Sequence, residues 1–217
     1  MPSYSIVVAL YNENLDWIEK MDKKNLAIYN KGDRLIENAT PLPNIGRDPQ
    51  TFIHHIIKNY DSLPDYLFLV QGNPFDHMVN VNADNFQEKL DRLLEEKIIE
   101  NMEPLFIHMH MEALDMWPGI KTRKFFNLMF DREPPEFVSF AAGCQYVVPR
   151  KNILKNPLEF YIKLDQLYTE CYNLTNDNIY KCQCDAENEL FTPWTSERFL
   201  SYIFSNDFFI SENFYKL

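Results

Sequence analysis

Three stretches of this chain put polar, titratable side chains directly after apolar runs. Tyr11-Asn12-Glu13 follows Ser5 to Leu10, and Gln71-Gly72-Asn73-Pro74-Phe75-Asp76-His77 follows Tyr66 to Val70. His108-Met109-His110 ends the run Leu105 to Met109. Continuous apolar runs of this length suit strands buried on both faces. In open α/β sheets, ligands bind beyond the carboxyl ends of such strands. At the first end, an aromatic ring and an amide could stack on a base and hydrogen-bond its edge; the bland alternative is a solvated turn. At the second, Asp76 and His77 are hard-to-borderline ligands that suit Mn²⁺ or Mg²⁺ when a phosphate supplies further oxygens. Otherwise Asp76 caps the next element and His77 lies on the surface. At the third, alternate residues share a strand face, so His108 and His110 could form a two-histidine site. The adjacent pair His54-His55 falls on a helix, where neighbours do not face one another.

Two further positions carry charge at helix starts. Arg47 precedes a helix opened by Asp48 as N-cap and Pro49 at the first helical position. An arginine there can pair bidentately with phosphate, or simply with Asp48. Glu197 and Arg198 sit in the first turn of the last helix, where the helix dipole alone favours a carboxylate. Trp117 and Trp194 adjoin prolines in loop-like contexts and would suit sugar-ring stacking if exposed. No nucleophile elbow, zinc-binding H-E-x-x-H or nuclease-like carboxylate cluster is present.

The elements that must position these groups alternate. Strands are expected at Ser5 to Leu10, Leu26 to Tyr29, Tyr66 to Val70, Leu105 to Met109 and Phe137 to Val148. A short helix carries Leu15, Ile18 and Met21. Longer helices carry the stripes Phe52, Ile53, Ile56, Ile57 and Tyr60, then Phe86, Leu90, Leu93, Leu94 and Ile98. Asn156-Pro157-Leu158-Glu159 reads as a capped start for Tyr161, Leu164, Tyr168 and Cys171. Thr192-Pro193 opens the helix of Phe199, Leu200, Ile203 and Phe204. Strands alternating with helices define an α/β fold with a mixed or parallel sheet.

Composition bounds the function. The 217 residues are 46% hydrophobic, 24% charged and 15% aromatic, which excludes disorder and collagen-like structure. One domain spanning 1–217 is expected, and it could be the N-terminal part of a longer chain. A net charge of −11 excludes a broad basic footprint for nucleic-acid polymers or anionic lipid. Only five glycines are present, so phosphate cannot be held by a glycine-rich loop. The cysteines 144, 171, 182 and 184 include no C-x-x-C pair and read as reduced thiols. No apolar run approaches the roughly 18 residues of a membrane span. With Met1-Pro2-Ser3-Tyr4 lacking a basic leader, a cytoplasmic protein is expected. The sequons at Asn38 and Asn173 are then chance.

Taken in order, Val7 to Glu13, Ile28 to Gly32, Leu42 to Arg47, Phe68 to His77 and Trp194 to Phe199 resemble a family of fungal and large-DNA-virus domains. That family is similar to the glycosyltransferase domains that build chlorovirus capsid glycans. The resemblance spans roughly Ser5 to Phe204. It implies a GT-A fold, a central mixed sheet flanked by helices, that binds a UDP-sugar with Mn²⁺ (or Mg²⁺) and transfers the sugar to a glycan acceptor, such as one on a capsid protein. Under it, Ala9, Leu10, Tyr11 and Glu13 hold the uracil, and Asn44 and Arg47 lie at the diphosphate or donor sugar. Gln71-Gly72-Asn73 stands where a D-x-D motif would align. The metal therefore falls to Asp76, with His77 second and Asn73 at the ribose. The strand Phe140 to Gln145 lines the sugar pocket, where Gly143 permits close approach, and Glu197 is the base or orients the acceptor hydroxyl. Two other classes remain open: a glycan- or nucleotide-binding module without catalysis, and a metal-dependent hydrolase using Asp76, His77, His108 and His110.

Overall fold

A computed structural model describes residues 2–96, 99–117, 121–175, 191–205, 212 and 214, excepting the side chains of 171–175. The side chains of Asn173 and Cys171, together with cysteines 182 and 184, Ile98 and the acidic stretch 185–189, fall outside what is described. The chain forms an α/β structure with a mixed central sheet. Its strands are β1 (Tyr4–Leu10), β2 (Leu26–Asn30), β3 (Thr40–Pro41), β4 (Tyr66–Gln71), β5 (Glu103–Pro104) and β8 (Tyr146–Pro149). They lie in the order β3-β2-β1-β4-β8-β5. Strands β1 to β4 pair in parallel, and β8 runs antiparallel to both β4 and β5. A separate two-stranded antiparallel sheet joins β6 (Met109–Ala113) to β7 (Phe137–Ala141).

Alternation along β1 fixes which side chains face which layer. Val7 and Ala9 enter a core built with Phe52, Ile53 and Ile56 of α1 (Arg47–Asn59), Phe126 of α3 (Thr122–Met129), Ile153 of α4 (Arg150–Ile153), Leu164 of α5 (Leu158–Thr175) and Phe199 of α6 (Pro193–Ile203). Ile6, Val8 and Leu10 enter a second core with Trp17, Met21 and the residues Phe86, Leu90 and Leu94 of α2 (Phe86–Glu96). In β1 the five residues Ile6 to Leu10 are buried, as a continuous apolar run requires. The connection from β1 to β2 therefore covers one face, and the connection through α1 to β4 covers the other. The chain order reverses between β1 and β4, which makes their carboxyl ends a topological switch point.

Some element boundaries differ from the sequence pattern. The single strand expected over Phe137 to Val148 is two, β7 and β8, split by a turn at Ala142-Gly143-Cys144. Gly143 and Cys144 both have left-handed φ there, +67° and +58°, so the chain bends out of the small sheet into the large one. The strand expected at Leu105 to Met109 is displaced: β5 ends at Pro104 and β6 begins at Met109. The expected helix around Ile18 is one short 3₁₀ segment, Asp16–Lys20. Asn156 does not cap α5; its amide donates instead to the Ile203 carbonyl at 3.0 Å, pinning the end of α6. Thr192 does cap α6, accepting from the Thr195 N–H at 3.2 Å.

Candidate functional site

The carboxyl ends of β1 and β4 meet as topology requires. Ala9 and Leu10 send their side chains into the two cores, while Tyr11 is 48% exposed at the strand end. Glu13 folds back so that its Oε2 accepts from the N–H groups of Tyr11 (2.7 Å) and Asn12 (3.1 Å). A Cβ on Gly72 would lie 2.4 Å from that same oxygen, so the Glu13 carboxylate rests directly on the end of β4. Trp17 holds this turn from below, its indole N–H donating to the Gly72 carbonyl at 2.8 Å.

Gln71 closes β4 and ties four elements together. Its Nε2 donates to Asp48 Oδ2 at 2.9 Å. Its carboxamide packs so tightly on Gly143 that a Cβ there would sit 2.4 Å from Gln71 Oε1. The Gly143 N–H in turn donates to Glu197 Oε1 at 2.8 Å. Gln145 braces the same corner, donating to the Pro74 carbonyl at 3.0 Å. Asp48 of α1 and Glu197 of α6 are thus joined through β4 and the β7–β8 turn.

Both carboxyls are only partly accessible, and both are raised above the ordinary range. For Asp48, burial dominates, with Glu13 adding to it; Gln71, Lys31 and Arg47 oppose it. For Glu197, burial again dominates, reinforced by Asp48 and Glu112 and opposed by the Gly143 N–H and Arg198. Asp48 was legible only as a helix cap. The cap position is in fact Gly46, in a left-handed conformation, and the helix begins at Arg47, which frees the Asp48 side chain for Gln71.

Cations surround this pair. The Arg47 guanidinium stacks over the Trp194 ring, 4.9 Å from its centroid. Arg198 clamps Glu112 through Nε (3.0 Å) and an NH2 group (2.6 Å), and lies 4.0 Å from Glu197. Lys31 is buried just past β2. Its ammonium donates to the carbonyls of Ile45 (2.5 Å) and Arg47 (2.6 Å) and to Gln50 Oε1 (2.7 Å). Burial pulls its pKa down to about 7, against the attraction of Asp48 and Asp165. Neither Lys31 nor Glu112 stood out in the sequence. Glu112 was detectable in principle, two residues beyond His110 on the same strand face.

The remaining sequence candidates lie at the rim or elsewhere. Asp76 and His77 are exposed, and Asp76 Oδ1 accepts from Asn73 Nδ2 at 2.8 Å. Asn44 is exposed on the loop before α1. His110 stacks on Phe140 in the small sheet, and His55 is a core residue whose Nδ1 lies 3.0 Å from Tyr29 Oη. Among the described residues, no three of His, Cys, Asp and Glu converge as a ready-made metal cage. A single exposed carboxylate does fit Mg²⁺ or Mn²⁺ when a diphosphate and water supply the other oxygens. A groove of about 310 Å³ between Leu93, Pro104, Phe106 and His108 lies apart from this corner.

Fold and site together define an α/β protein whose candidate site lies at the switch point of a mixed sheet. A family model described as a protein of unknown function (DUF3431) matches residues 6–204, so the chain belongs to that family. No curated protein and no solved structure matches it.

Proposed function

We propose that this domain is a glycosyltransferase of GT-A type, transferring a sugar from a UDP-sugar to a glycan acceptor. The observation that carries the reading is the joining of Glu197 to the ends of β1 and β4 through Gly143 and Gln71. A nucleoside laid across the switch point meets Tyr11 and Glu13. Its diphosphate extends toward Arg47, whose guanidinium plane is fixed by Trp194. Asp76, steadied by Asn73, would hold Mn²⁺ or Mg²⁺, which supplies charge neutralisation at the leaving diphosphate. Arg47 adds to that stabilisation as negative charge develops on the departing group. The Glu197 carboxylate, whose burial raises its pKa above the ordinary carboxylate range and so makes it a stronger base, is suited to take the proton of the attacking acceptor hydroxyl.

Calorimetry with UDP, with and without Mn²⁺, tests this. UDP binding that needs Mn²⁺ and that Asp76→Asn weakens at least about tenfold, roughly 1.4 kcal/mol, is expected. Equal binding with and without the metal would sink the metal role. One feature favours a second reading, a nucleotide- or glycan-binding module: amides, Gln71 and Asn73, stand where D-x-D carboxylates would align. Release of UDP from a UDP-sugar decides for the enzyme.

A further inference from the structure

Glu112 has two partners that tie the small sheet to the candidate site. Its Oε2 accepts from Arg198 through Nε and an NH2 group, and also from the indole N–H of Trp117 at 3.2 Å. Arg198 is itself oriented by three further contacts. Its guanidinium lies over the Phe140 ring at 4.9 Å, an NH1 group donates to the Trp194 carbonyl at 2.9 Å, and Glu197 is 4.0 Å away. Arg198 is nearly fully buried, so this arrangement is built into the fold. Trp117 differs: 49% of it is exposed, although its one polar atom is already satisfied. A large aromatic face is therefore held in solvent, with its edge anchored one carboxylate and one guanidinium away from Glu197.

An indole fixed by its N–H and open on its face binds flat apolar surfaces and keeps its polar contacts at the edge. A pyranose ring offers that combination, with C–H groups on its face and hydroxyls around its rim. Glu112, partly exposed, stands at that rim as acceptor for a hydroxyl, and the buried Arg198 fixes its carboxylate in place.

We propose that Trp117 and Glu112, with Glu112 held by the buried Arg198, form the acceptor subsite, taking a pyranose against the indole and directing one hydroxyl toward Glu197. The assignment rests on the glycosyltransferase reading and names the place of its second substrate. It leaves the donor nucleotide to the β1 and β4 ends, on the Arg47 side of α6.

The test is NMR titration with methyl α- and β-glycosides of glucose, galactose, mannose, xylose, rhamnose and fucose, with and without UDP and Mn²⁺. At least one glycoside is expected to bind the wild-type protein saturably. Trp117→Ala should weaken it about tenfold or more, and Trp117→Phe, which keeps a flat ring, should restore most of the affinity. UDP affinity by calorimetry should be unchanged in both variants, which also shows that they fold. The subsite is overturned if no glycoside binds, or if Trp117→Ala binds as well as wild type. Loss of UDP binding in the wild-type protein would strike the donor reading alone, and the metal-free, nucleotide-free titration still decides the subsite.

Discussion

Glu197 and Asp48 sense one another's charge across the Gln71–Gly143 contact, and burial raises both. A carboxyl raised this way contributes stability while protonated and loses it as pH rises through its shifted pKa. Both groups therefore oppose folding once ionised, a local cost typical of functional sites. Glu197→Gln removes the proposed base while keeping an acceptor for the Gly143 N–H. Turnover should fall about 10²- to 10⁴-fold, with UDP affinity unchanged by calorimetry. Gly143→Ala should act through the backbone. Its left-handed φ and the Gln71 carboxamide both resist a Cβ, so a loss of about 1–3 kcal/mol in urea unfolding is expected. The sequence exposed Glu197 and Arg47 because each stood beside a helix start; Gly143 entered only through the resemblance, inside a strand expected to run unbroken from Phe137 to Val148. It hid Asp48 and Glu112, because an acid at a helix start and an acid in an edge strand both have ordinary explanations.

At the scale of elements, Lys31 sets where α1 begins. Its three N–H bonds go to acceptors only, so all three are kept only by the charged ammonium. The loop that carries Arg47 and Asp48 is thus fastened to the end of β2 by one lysine. Because its pKa is lowered to about 7, the unfolded chain binds the proton more tightly than the folded one. Stability from this group is present at high pH and lost as pH falls through about 7. Lys31→Met should remove up to about 1.4 kcal/mol per pH unit of slope between pH 7 and 9, read by denaturant unfolding across that range. The end of α6 that presents Glu197 depends on a cap instead. Thr192→Ala should cost about 1 kcal/mol and lower turnover along with stability.

For the molecule as a whole, alternation of strands and helices was enough to give the α/β class and a central sheet, because buried strands and amphipathic helices write their periods plainly. The sheet order and the antiparallel β8 were not legible, since pairing depends on contacts between distant segments. Nor was the second sheet: Phe137 to Val148 is mostly apolar, with Ser139 and Gln145 its polar side chains, and nothing but Gly143 marks the bend. No helix among the described residues is long and apolar enough to cross a membrane. The acidic charge of −11 leaves little field for anionic polymers, so the proposed nucleotide site works through local contacts. Saturating UDP with Mn²⁺, at about 100 times Kd, should raise unfolding stability by about 2.7 kcal/mol, read by thermal or urea melts. UDP alone should do so far less.

The bend between the two sheets also contains a clock. Cys144 is buried there, and burial with the nearby charges of Glu197 and Asp48 pushes its thiol well above the ordinary value. A thiol in that state does not react with an alkylating reagent until the corner opens. With cysteines 171, 182 and 184 replaced by serine, the rate of Cys144 alkylation would count openings of the small sheet from the large one. A donor nucleotide bridging that corner should slow the count.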